Sequence, residues 1–284
     1  MRSRRRESGS SGRQGIGPLK IGGPQQVPRR GVLLYEGASV LGGGPIFVVA
    51  TFGTKNRKTG ALVQTWIMRA DMHPVEASRT GADDAICGSC PHRALRGSKR
   101  SCYVNLAFGP RGVWEAYQLN KYVRFDTARH KHYFAGQLLR AGAYGDPVAV
   151  PAGVWQPLVD AAYQTVSYTH LWRLSEAEPF KAWTMASVDS VAEREEAKEL
   201  GWRTYRVSPD LSLGHDEIWC PATEPGGNRA LCETCMACDG HMRGSRRVDI
   251  ASPVHGKGSN HFKQWSETRE LERRGIKQLE LFDE

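Results

Sequence analysis

Seven cysteines in two groups, Cys87/Cys90/Cys102 and Cys220/Cys232/Cys235/Cys238, restrict the folds open to this 284-residue chain more than any other feature. An odd number cannot pair completely, and near neighbours within each group are awkwardly placed for disulfide geometry. The N-terminus carries arginines without a following apolar segment of signal-peptide type, and apolar runs such as 46–50 are too short to span a bilayer. A cytoplasmic location and no membrane are therefore expected. Reduced thiols in that compartment point to metal ligation.

The residues between the cysteine groups read as α/β. Runs 31–35, 46–52 and 62–68 are rich in β-formers and are separated by Gly42-Gly43-Gly44-Pro45 and Lys58-Thr59-Gly60 turns, so hairpins are expected to open the domain. Residues 111–122 read as a helix with Val113, Trp114, Tyr117 and Leu119 on its apolar face. Thereafter helix-like segments 134–141, 154–163 and 191–200 alternate with strand-like segments 142–144, 165–168, 183–188 and 203–207. This repetition predicts a parallel sheet with crossover helices, a TIM-like or partial (β/α) barrel followed by a C-terminal metal-binding segment. The expected division is a disordered basic arm over 1–30, the barrel-like domain over 31–215, the second cysteine segment over 216–262, and a C-terminal helix and tail over 263–284. Tryptophans such as Trp155 and Trp183 sit in apolar patterns and are expected in the core.

In such a sheet the C-terminal strand ends converge on one mouth. Tyr144-Gly145-Asp146-Pro147, Tyr168-Thr169-His170 and Ser187-Val188-Asp189-Ser190 would meet there, which makes Asp146 and Asp189 the candidate catalytic carboxylates. Capping of the next helix is the other reading of Asp189.

Cys87-Gly88-Ser89-Cys90 sets two thiolates on one turn and Cys102 adds a third. Two metal centres suit three thiolates: zinc completed by His73 or His92, or a [4Fe–4S] cluster with one iron left open. Cys232-Glu233-Thr234-Cys235-Met236-Ala237-Cys238 with Cys220 supplies four thiolates, which fit a closed [4Fe–4S] cluster or structural zinc.

The Cys-x2-Cys motif, the later Cys102-Tyr103 and the helix holding Trp114 resemble the phage three-cysteine-motif proteins, including those called gene product eighty-eight, and through them the radical-SAM barrels. That resemblance implies [4Fe–4S] clusters, S-adenosylmethionine (SAM) bound at the open iron, and modification of DNA or a nucleotide in the host cytoplasm. Gly145-Asp146-Pro147 would stand where radical-SAM enzymes have a Gly-Gly-Glu-Pro strand end, making Gly145 and Asp146 the cofactor-binding residues. The cysteine spacing differs from Cys-x3-Cys-x2-Cys, and the acid is Asp instead of Glu. A weaker similarity links Cys232, Cys235 and Cys238, with His255 or His261, to the zinc site of guanine transglycosylases. It implies DNA base exchange by Asp146 and Asp189. A third reading is a non-catalytic nucleic-acid-binding protein with structural zinc.

The net charge of +9 is concentrated in the first thirty residues, where Arg2, Arg4, Arg5, Arg6, Arg13, Lys20, Arg29 and Arg30 face only Glu7. Such an arm suits phosphate, with Arg2, Arg4, Arg5 and Arg6 as nucleic-acid contacts, or serves as a solubilising tail. Gln278-Leu279-Glu280-Leu281-Phe282 resembles the short peptide that docks replication and repair proteins on the bacterial sliding clamp, with Gln278, Leu279, Leu281 and Phe282 as its contacts.

Overall fold

Three early segments rich in valine, isoleucine and aromatic residues form strands β1 (Val32–Ala38), β2 (Pro45–Thr51) and β3 (Val63–Arg69), paired antiparallel in succession. The computed structural model describes residues 28, 30–54, 59–94, 99–242, 248–256 and 258–273. Both the candidate arm contacts Arg2, Arg4, Arg5 and Arg6 and the candidate clamp contacts Gln278, Leu279, Leu281 and Phe282 lie outside these residues. Seven further strands complete a ten-stranded sheet: β4 (Val123–Arg124), β5 (Leu138–Tyr144), β6 (Gln164–Thr169), β7 (Met185–Val188), β8 (Thr204–Ser208), β9 (Glu217–Trp219) and β10 (Asp249–Pro253).

The order across the sheet is β4-β1-β2-β3-β5-β6-β7-β8-β10-β9. Every pairing from β3 to β9 is parallel, so the fold is a mixed α/β sheet dominated by parallel strands. The expected hairpins and alternation are present; among the described residues no pairing joins the outermost strands β4 and β9.

Parallel neighbours need crossovers, and two are helices. Ala152–Ala161 links β5 to β6 and buries Trp155, Leu158 and Val159; Val191–Glu199 links β7 to β8. Trp155 is fully buried and stands 6.0 Å from the buried Trp183, so these two tryptophans are core residues, as their apolar settings suggest. Residues 134–141, expected to be helical, are not. Phe134 is buried against Val32, Val63, Leu139 and Leu158, the left-handed Gly136 ends the preceding turn, and β5 then alternates inward and outward from Leu138. Burial on both sides of one sheet overrode the local helix pattern.

A charged network fastens the far edge. Glu217 on β9 accepts from Arg206 on β8 at 2.6 and 2.9 Å and lies 3.5 Å from Arg194, which also bonds Asp249 on β10 at 3.1 Å. Asp249 in turn accepts from the backbone of Thr204. Arg194 and Arg206 are almost wholly buried, so each guanidinium depends on its carboxylates. No helix among the described residues is long and apolar enough to cross a membrane.

Candidate metal and ligand cavity

All seven cysteines line one cavity of about 460 Å³, bounded by β5, β6, β8, β10 and the loops after β3 and β9, and none forms a disulfide. Burial, and then the neighbouring thiols Cys90 and Cys102, push the Cys87 thiol well up. Burial followed by Cys102 does the same to Cys90. Burial also raises Cys238, and Cys220, Cys232 and Cys235 add to the effect. Cys87, Cys90 and Cys238 are thus each influenced by other thiols of their own sequence group, and the fold gathers both groups on the wall of a shared space.

The loop carrying the first group is held by its own polar residues. Cys87 ends a short helix, Asp84–Cys87, and Cys102 N–H donates to the His92 carbonyl at 3.0 Å. The Arg93 guanidinium donates to Asp83 and to the carbonyls of Gly81 and Gly88, while Arg100 donates to the carbonyls of Cys102 and Val104. Asp146 N–H reaches the Ile86 carbonyl at 2.7 Å, tying this loop to the end of β5.

That junction requires Gly145. Its φ is +81°, and a Cβ there would stand 2.6 Å from Ile67 Cβ and 2.8 Å from the Ile67 carbonyl oxygen. Alanine at 145 is expected to destabilise the protein by roughly 1–3 kcal/mol through backbone strain and clash together. Urea unfolding checks this; a change below about 0.5 kcal/mol would show that the strand end relaxes freely.

Asp146 is buried, and its Oδ1 accepts from Val148 N–H while Oδ2 accepts from Thr169 Oγ1 and His170 N–H, each at 3.0 Å. Burial pushes its pKa up to about 6 against the pull of those donors. It binds the ends of β5 and β6 together. Asp189 behaves differently: the helix after it is capped by Ser190, whose Oγ accepts from Glu193 N–H. Asp189 instead bonds His92 Nε2 at 2.9 Å through Oδ2, and His92 Nδ1 meets Ser101 Oγ at 2.9 Å.

His170 Nε2 lies 4.0 Å from the same carboxylate oxygen. Ligand atoms of His92, His170 and Asp189 all fall within 4.8 Å of one another, a spacing that could hold a metal ion. His170 Nε2 and Asp189 Oδ1 are buried without a hydrogen-bond partner. Burial opposes charge on Asp189, but His92, His170 and Arg269 outweigh it and hold the carboxyl below its usual range; burial drives His170 down to about 4. Phe262 stacks on His92 at 4.8 Å and Trp265 meets it edge-on at 5.1 Å, covering the group from the C-terminal helix Ser259–Arg273.

The second group is anchored from the opposite end of the chain. The short helix Cys232–Cys235 is gripped by the β2–β3 turn: Glu233 accepts from Ala61 N–H at 2.6 Å, and Glu233 N–H donates to Thr59. Gln164 on β6 donates to the Met236 carbonyl and to Asp239, and Ser167 N–H donates to the Cys238 carbonyl. Asp239 further bonds Arg203 at 3.1 Å.

Of the histidines weighed as zinc ligands, His92 and His255 are on the cavity wall. His73 instead caps the helix Pro74–Thr80 and packs edge-on against Trp114. Sequence reasoning did not single out Ser101, Arg140 or Tyr205, which also line the cavity. Only the period-two alternation of 138–144 could have turned Arg140 toward it. No protein-family profile, curated protein or solved structure matches this chain.

Proposed function

We propose that the protein is a radical-SAM-like iron–sulfur enzyme that modifies a nucleotide, free or within DNA. Cys87, Cys90 and Cys102 would hold a [4Fe–4S] cluster with an open iron, and Cys220, Cys232, Cys235 and Cys238 a closed auxiliary cluster. The observation that carries this reading is the common cavity: a three-thiol group beside the Gly145-Asp146 strand end faces the same space as a four-thiol group.

The thiol count supports this reading: three thiolates leave one iron of a cluster open, and four close a second.

Bound at the open iron, SAM supplies one-electron cleavage of a carbon–sulfur bond. The chain's own residues do the rest. Arg93, Arg100 and His92 fix the cysteine loop, Gly145 keeps the strand end close to β3, and Asp146 retains acceptor capacity toward an amino group beyond its three hydrogen bonds. The basic arm would recruit nucleic acid, and the C-terminal peptide would dock on a sliding clamp.

Anaerobically purified protein is expected to contain iron and acid-labile sulfide for two clusters, to absorb in the visible, and to release 5′-deoxyadenosine from SAM under reduction. Zinc without sulfide would overturn the proposal. Base exchange by Asp146 and Asp189, or nucleic-acid binding without catalysis, would then be separated by alanine at each aspartate.

A further inference from the structure

Six arginines reach into the body of the protein, five of them buried and paired with carboxylates. Arg69 pairs with Asp71, Arg93 with Asp83, Arg194 with Asp249, Arg203 with Asp239 and Arg206 with Glu217. The sixth, Arg140, extends from β5 into the cavity, and among the described residues no carboxylate pairs with it. Its Nη2 donates to the Tyr103 hydroxyl at 2.7 Å, and its other neighbours are Tyr168, Tyr205 and Cys232. Arg140 is half-buried on the cavity wall beside the Cys232 thiol, and of the five N–H donors of a guanidinium Tyr103 takes one.

Nearby hydroxyls narrow what could complete it. Tyr168 and Tyr205, with ring centroids 4.6 Å apart, direct their hydroxyls to Cys238 and Ser252. Tyr103 accepts from Arg140, so its own O–H remains to donate. Arg140 and Tyr103 thus bring several N–H donors and one O–H donor together on the cavity wall, beside Cys232 of the second thiol group.

We infer that Arg140 and Tyr103 form the receptor for an anionic oxygen group of the substrate, the phosphate of a nucleotide unit. Planar guanidinium donors match phosphate oxygens in pairs, and the phenol supplies a third bond. This deepens the function proposed above and rests on it only for naming the ligand a nucleotide. A carboxylate has the same chemistry, and SAM carries one. Arg140 stands beside Cys232 and also bonds Tyr103, next to Cys102, so it neighbours both thiol groups, and separate titration with SAM distinguishes substrate from cofactor.

The test is calorimetric titration of the full chain, purified without oxygen, with the four deoxynucleoside 5′-monophosphates, their parent nucleosides and, separately, SAM. Monophosphates are expected to bind on the order of 10- to 100-fold more tightly than nucleosides, the effect of one charge-assisted contact. Arg140→Gln should erase that preference, Arg140→Lys should keep part of it, and Tyr103→Phe should shrink it, with SAM affinity and metal content unchanged. Equal binding of nucleoside and monophosphate overturns the inference. So does loss of SAM affinity or of iron in Arg140→Gln, which would give the guanidinium to the cofactor or to the second thiol group. Failure of the radical reading would appear separately, as protein without iron or without 5′-deoxyadenosine, because the phosphate preference is read from binding alone.

Discussion

Serine at Cys102 is expected to remove half of the iron and sulfide from the reconstituted protein and all reductive cleavage of SAM, whereas serine at Cys235 removes the other half and leaves cleavage in place. The asymmetry follows from the ligand sets: three thiols leave one iron to the cofactor, and four leave none. His92 does not stand ready as a substitute, because both its ring nitrogens are engaged by Ser101 and Asp189. The loss at Cys102 should exceed the ~10–100-fold typical of removing an outer-shell partner. Iron, sulfide and 5′-deoxyadenosine measured on both variants decide the matter. Equal loss of cleavage in the two would mean that the groups do not divide the work as proposed.

The largest effect on stability is expected at Glu217. Alanine there leaves Arg206 without a carboxylate and Arg194 with Asp249 and Glu195, in a region where both guanidinium groups are almost fully buried. Removing one member of a buried ion network costs about 3–5 kcal/mol, far more than losing a solvent-exposed pair such as Glu76–Arg79. Burial opposes the charge of Glu217, but hydrogen bonds from Arg206 and Gly214 prevail and hold its carboxyl below the usual range. A depressed carboxyl contributes stability above its unfolded pKa and loses it as pH falls through the folded one. The gap between the parent protein and Glu217→Ala should therefore be full at neutral pH and close only in acid. Urea midpoints at several pH values measure it; a gap under about 1 kcal/mol at pH 7 would mean that water reaches the network.

The cysteine grouping was legible because thiols at such short intervals are awkwardly placed for disulfides and suit metal ligation. The strands and crossover helices were legible wherever composition and periodicity agreed, as at Val63–Arg69 and Val191–Glu199. Arg140 was not, since residues 134–141 carry a helix-like pattern that burial of Phe134 and Leu139 in one cluster overrides. Nor was the bond between His92 and Asp189, 97 residues apart, because nothing local marks either as the other's partner. The capping reading of Asp189 was reasonable from sequence, yet Ser190 is one residue nearer and takes that task. The insertion of β10 between β8 and β9 is likewise a tertiary outcome, governed by where Asp249 and Glu217 meet their arginines.

The grip of the β2–β3 turn on Glu233 spans 172 residues. During synthesis the turn leaves the ribosome long before its partner, so it must wait, and the cavity stays without its far wall until the last strands arrive. The first three thiols meanwhile face whatever ions the surroundings offer. Contacts of such long range make that final closure slow compared with the hairpins that precede it, so any group held by both sets of thiols would be enclosed only after chain release.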